Sequence, residues 1–288
     1  MPQAAGAEVP QAAGRECRKR QGGIAAGGRA HYPLPMRDPQ TVRIFVGTAE
    51  GTRLAERLAD RFASVARLLV TLHDGARPPR GCTVDRIGDV AVGDAAAVID
   101  ALDPFDGNAV RAVRDGAQRA GTARLTYRPR GWERHPLDRW IEVRDLPGAV
   151  GSVASIARTV LLWLPPQDIA AFETVGGLRF PTRLARPPVG WALPPRFEPI
   201  VAPPPYSIAG DTMLLRRTEA QAVVMRATGT DRDAPLVRAA RSLDLPIVMI
   251  RRPMERGEVP ARSVDVAVDW VDSILNPPAY VTTAREWR

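Results

Sequence analysis

The polar and apolar positions of residues 42–62, VRIFVGTAEGTRLAERLADRF, change period halfway. Val42, Ile44, Phe45 and Val46 form a short β-branched and aromatic run, the pattern of a buried strand. Gly47 ends it. Beyond the turn, Leu54, Leu58 and Phe62 recur every fourth residue with Arg53, Glu56, Arg57 and Asp60 between them, which predicts a helix with one apolar stripe. The chain repeats this alternation. Residues 66–72 (ARLLVTL), a short segment around 84–87, 97–101 (AVIDA) and 123–127 read as further strands. A helix capped by Asn108 carries Val110, Val113 and Ala117. Residues 140–147 read as a strand and turn entering a helix over 150–158, the crossover to a second lobe. There 160–164 (VLLWL), 180–184, 199–202, 222–225 and 246–250 (PIVMI) read as strands, and 167–172, 213–217, 234–243 and 264–275 as helices.

Strands alternating with helices predict an α/β fold with parallel sheets covered on both faces. The expected organisation is a disordered extension over 1–40, a first lobe over 41–148, a second over 149–275 and a tail over 276–288. Residues 1–40 are rich in Ala, Gly, Pro and Arg and lack periodicity, and Met36 is an alternative start. In open α/β sheets ligands sit outside the carboxyl ends of the strands, so a cleft between the lobes is the expected site.

Composition narrows the function classes. The 288 residues are 45% apolar, enough to bury a core, and carry a formal net charge of +8. The only lysine is Lys19, and the arginines are spread among 32 acidic residues. A nucleic-acid footprint would be clustered, so no nucleic-acid partner is expected; attraction of an anionic small molecule fits the charge. Cys17 and Cys82 form no metal or redox spacing, which suits a reducing cytoplasm. No apolar run reaches membrane-spanning length. His31, His73 and His135 have no partner at ligand spacing, so no metal is expected.

The candidate chemistry gathers at the strand ends. In a strand-turn-helix unit the first N–H groups of the helix and its dipole make an anion site. Gly47, Thr48, Ala49, Glu50 and Gly51 are therefore the expected cofactor turn. The end of the second strand meets the ribose of a dinucleotide, where an arginine suits a 2′-phosphate and a carboxylate a 2′-hydroxyl. Arg77 points to NADPH, and Asp74 keeps the other choice open. Asp103 either lines the cleft or caps a helix. Arg226, Thr228 and Gly229 read as holding a phosphate at a strand end, or as a plain strand-to-helix loop. Arg128, Arg251 and Arg252 are candidates for substrate carboxylates.

Several of these stretches resemble the precorrin-6A reductases, NADPH-dependent enzymes of cobalamin (corrin ring) biosynthesis. GTAEGTRLAERLA (47–59) is similar to their opening turn and helix, VIDALDPF (98–105) to their Asp-Ala-Thr-His-Pro-Phe segment, and LTYRPRGW (125–132) to their Arg-Pro-x-x-Trp stretch. DIAAF (168–172) resembles the helix after their Thr-Thr-Gly-Arg turn, and LDLPIVMIRRP (243–253) their last strand. The resemblance implies two Rossmann-like lobes with NADPH and a polycarboxylate tetrapyrrole in the cleft. It implies hydride transfer to a carbon–carbon double bond of a corrin precursor, with Asp103 the guess for a proton donor.

The departures lie in the second lobe. The family's Thr-Thr-Gly-Arg turn falls on Trp163-Leu164-Pro165-Pro166, and its Ser-Arg-Gly-Pro turn on Ala202-Pro203-Pro204-Pro205. Its Thr-Lys-Asn-Ser-Gly turn falls on residues 225–229, which keep a cation, a hydroxyl and a glycine, and its His-Pro-Phe histidine is Asp103. Proline supplies no N–H donor, and each lost arginine removes a charge-assisted contact of about 1.5–3 kcal/mol. These losses motivate an alternative expectation, a catalytically degenerate relative that binds a tetrapyrrole, a nucleotide or a partner protein.

Overall fold

The computed structural model describes residues 39–73, 76–85, 91–188, 193–194, 196–254 and 257–277. The expected extension up to residue 38, Asp74, and the tail beyond 277 lie outside the described residues.

The first sheet has five parallel strands in the order β3-β2-β1-β4-β5. They are β1 (Gln40–Val46), β2 (Ala66–Leu72), β3 (Thr83–Asp85), β4 (Ala97–Ala101) and β5 (Ala123–Thr126). Helix α1 (Ala49–Phe62) follows β1 and helix α2 (Gly107–Ala120) follows β4. The period-two alternation of β1 explains the layering. Val42, Ile44 and Val46 pack with Leu54, Leu58 and Phe62 of α1, whereas Phe45 packs with Val110, Val113 and Ala117 of α2 on the other face.

The second sheet has six parallel strands in the order β6-β11-β10-β7-β8-β9. These are β6 (Trp140–Val143), β7 (Val160–Trp163), β8 (Phe180–Leu184), β9 (Phe197–Val201), β10 (Ala222–Arg226) and β11 (Ile247–Ile250). Helix α3 (Leu146–Val153), the short α4 (Pro166–Ile169) and a 3-10 turn over Ala170–Thr174 cover one face. Helices α5 (Ile208–Arg217) and α6 (Ala234–Ser242) cover the other. Both sheets are thus buried on two sides, as parallel sheets require.

Some of the sequence expectations change. Strand β6 pairs with β11, Trp140 opposite Ile247, so the second lobe begins before residue 148. Helix α7 (Val264–Leu275) buries Ala267 and Val271 in the core of β1 and α1. The chain therefore returns to the first lobe after β11, passing through a bridge between Tyr127 and Ala261. Helix α3 starts at Leu146 rather than 150, because Asp145 accepts from Gly148 N and Pro147 suits the first turn. Helix α2 is capped by Asp106, which accepts from Ala109 N at 3.1 Å, not by Asn108.

Candidate functional site

At the carboxyl end of β1 the sequence turns directly into α1. Thr48 is the cap, and its Oγ1 accepts from Gly51 N at 3.0 Å. The earlier N–H groups of the helix have no intrahelical acceptor. Both glycines of the turn are fixed by close approach. A Cβ on Gly47 would stand 3.0 Å from Asp103 N, and one on Gly51 would stand 2.8 Å from Ala101 O at the end of β4. The helix N-terminus is therefore seated on β4 and faces a groove of about 410 Å³. Gly47, Thr48, Ala49, Thr52, Arg53, Glu56, Ala76 and Arg77 line it. Arg77 is held beside the helix because Thr52 Oγ1 donates to its carbonyl at 3.2 Å. The expected turn and the expected arginine thus meet in one groove. Glu50 accepts instead from Arg53.

A second cavity, about 380 Å³, opens at the carboxyl ends of β7, β8 and β10. Its wall includes Trp163, Pro165, Pro166, Arg183, Arg186, Arg226, Thr228, Arg232 and Asp233, together with Asp103 from the end of β4 in the other lobe. Asp103 Oδ1 accepts from Phe105 N at 2.9 Å, a local turn at the strand end, so Asp103 lines the cavity without capping α2. Arg226 donates twice to Asp168 Oδ2, at 3.0 and 2.8 Å, and its guanidinium lies over Phe105 at 4.7 Å. Asp233 is buried and accepts from Trp163 Nε1 and from the hydroxyls of Thr228 and Thr230. Arg183 is buried in an ion pair with Asp211 at 3.0 Å, with Tyr206 and Trp163 rings 3.7 and 4.8 Å from its guanidinium carbon. Burial pushes the Asp211 carboxyl above the usual carboxylate range, against the pull of Arg183.

Other expected residues lie elsewhere. Gly229 has φ +65°, and a Cβ there would meet Arg252 Nη2 and come within 2.7 Å of Gly131 Cα, so it is a packing glycine. Arg252 donates to the carbonyls of Ala227, Pro129 and Thr228, bracing two loops. Burial and the nearby Arg262 and Arg128 lower its pKa. Arg128 is 8% exposed and donates to both oxygens of Asp100, at 3.1 and 2.9 Å, and to the Asp100 carbonyl. Arg128 and Arg252, expected at substrate carboxylates, are thus both engaged with carboxylate and carbonyl groups of the chain itself. Arg251 is exposed and lines neither space.

Sequence reading missed Arg183, Arg186, Arg232 and Asp233. Arg183 carried a signal, a charge inside the apolar strand FPTRL, which a buried strand tolerates only when it is paired. Arg186 and Arg232 carried none, since each looks like an ordinary loop arginine.

The family described as Precorrin-6x reductase CbiJ/CobK matches residues 41–272. A precorrin-6A reductase of Rhodobacter capsulatus is 32% identical over 235 residues, covering 78% of this chain and 91% of that protein. Another, of Rhodococcus erythropolis, is 28% identical over 253 residues, covering 84% and 97%. The solved structure of a CobK precorrin-6A reductase is similar with a TM-score of 0.71 at 26% identity, over 82% of this chain and 97% of that one. By its fold and by the extent of these matches, the chain belongs to the precorrin-6x reductase family.

Proposed function

We propose that this protein is an NADPH-dependent oxidoreductase that reduces a carbon–carbon double bond of a corrin-ring precursor in cobalamin biosynthesis. The observation that carries the reading is the position of Asp103. Its side chain lines the arginine-walled cavity, and its backbone N lies 3.0 Å from the place a Cβ on Gly47 would occupy. The two ligand spaces therefore meet at one strand end.

The groove beside α1 fits a dinucleotide phosphate. It offers the first amides of the helix and two guanidinium groups, Arg53, which is paired with Glu50, and Arg77. Arg77 would hold a 2′-phosphate, and the helix amides the pyrophosphate. Bound there, NADPH supplies the hydride. The second cavity orients an acidic macrocycle by its arginines, with Trp163, Leu164, Pro165 and Pro166 closing its apolar side. Asp103, on the wall of this cavity, is the candidate to pass a proton to the reduced carbon.

Pro165 and Pro166 on the cavity wall favour the second reading, a relative that binds but no longer reduces. Calorimetric titration with NADPH and NADH decides between them. Micromolar binding that prefers NADPH, followed by NADPH oxidation when precorrin-6A is added, is the expected result. Binding of neither nucleotide removes the reductase mechanism.

A further inference from the structure

The exit of β7, Trp163-Leu164-Pro165-Pro166, brings no cation to the cavity. The cavity at that exit is nevertheless walled by four guanidinium groups, delivered from three other places. Arg183 and Arg186 come from the end of β8 and the loop after it, Arg226 from the end of β10, and Arg232 from the residues just before α6. They are not equivalent. Arg183 is 2% exposed and paired with Asp211, and Arg226 is paired through two nitrogens with Asp168. Each pair is largely neutral, and drawing either arginine toward a ligand would strand a carboxylate in a poorly solvated place. The acids on the wall are engaged as well. Asp233 holds three donors and Asp103 holds Phe105 N.

Arg186 and Arg232 differ on both counts. Both are exposed, and neither makes an ion pair or hydrogen bond with any of the described residues. Arg232 also has a seat. Its guanidinium carbon lies 5.3 Å from the Trp163 ring and 5.6 Å from the Tyr206 ring. Stacking on aromatic faces limits the head group's freedom while leaving its N–H edges to donate. Trp163, at the end of β7, thus supports a cation at the cavity wall.

We propose that Arg186 and Arg232 are the carboxylate-binding residues of this cavity. They set a preference for substrates that present two or more carboxylates. This rests on the reading of the cavity as the macrocycle site, and deepens it by naming which of the four arginines meet the acidic groups.

The test uses uroporphyrin, a polycarboxylate tetrapyrrole, titrated calorimetrically into the full chain and into R186Q, R232Q and the double variant. Each single substitution is expected to weaken binding about tenfold and the double about a hundredfold, one charge-assisted contact per arginine. NADPH affinity stays unchanged in all three. Added salt weakens the wild type more steeply than the double variant. The proposal is overturned if the wild type does not bind uroporphyrin, or if the double variant binds it within about twofold of the wild type, well short of one contact's worth. In turnover with precorrin-6A, the double variant should raise KM and leave kcat nearly unchanged, and an unchanged KM also overturns it. If uroporphyrin binding follows the arginines but NADPH is never oxidised, the proposal stands and the reductase reading falls.

Discussion

Replacing Gly51 by Ala tests whether the first helix is seated on β4 as tightly as the geometry says. The new Cβ would stand 2.8 Å from Ala101 O, 3.0 Å from Ala101 Cβ and 3.3 Å from Thr48 Oγ1. Comfortable contact begins near about 3.5 Å, so the helix start must move by about 0.5–0.7 Å. The obstructing atom is a backbone carbonyl in a central strand and cannot rotate away. Overpacking of this kind costs about 1–3 kcal/mol. Against it stands the gain in helix propensity, at most about 1 kcal/mol and smaller in a first turn. The steric cost wins, leaving a net loss of about 1–2 kcal/mol, a fall in Tm of about 2–8 °C for a chain of this size. Because the moving part carries the groove amides, NADPH affinity should fall with it, by about tenfold. Gly151→Ala is the comparison: it lies in α3, where an added Cβ would meet nothing within 4 Å, and should stabilise by about 0.5–1 kcal/mol. Thermal melts and calorimetry of both variants read these effects. A G51A protein with wild-type Tm and wild-type NADPH affinity would refute the reasoning.

Arg77→Ala should weaken NADPH binding by about 10–100-fold and leave NADH binding nearly unchanged, since only the 2′-phosphate contact is lost; equal losses for both nucleotides would place Arg77 elsewhere. Arg128→Met should cost up to about 3–5 kcal/mol in urea unfolding, because it removes the nearest cation from the fully buried Asp100 and leaves it the longer 3.4 Å contact from Arg124, and adding Asp100→Asn should recover much of it. The Asp211 carboxyl has a raised pKa in the folded protein, so its contribution to stability is present at low pH and lost as pH rises through that raised value. The stability of the wild type relative to D211N should therefore grow as pH falls from neutral, and a difference independent of pH would contradict it. Cys82, pushed up to about 11 by burial and then by Glu56, should be alkylated slowly near neutral pH in a Cys17→Ala background.

Much of the fold was legible because local pattern and final environment agree. The β1–α1 unit is a clear case: its strand run, its turn and its four-residue stripe each bury the side that the periodicity indicates. What was not legible depends on distant pairing. Nothing in RWIEV says that β6 would pair with Ile247 about a hundred residues later, and nothing in the stripe of α7 says which sheet it covers. The site divided the same way. That Gly47, Thr48 and Ala49 share a groove with Arg77 was readable because a βα turn is a local feature and its neighbour is fixed by strand order. Arg128 looked like a loop cation, yet it is fixed by Asp100, an acid inside the buried strand AVIDA that had to find a partner. Arg186 and Arg232 became visible only when β8 and the loop before α6 were brought to one cavity.

The most direct test of the reductase reading follows the hydrogen itself. The full chain is incubated with precorrin-6A and NADPH deuterated at the transferable position of the nicotinamide, and the product macrocycle is weighed by mass spectrometry. A product reduced at one double bond and carrying a single deuterium is the expected result. Nucleotide and macrocycle both bound, with no deuterium in the macrocycle, would contradict it and leave a protein that binds both ligands without joining them in a reaction.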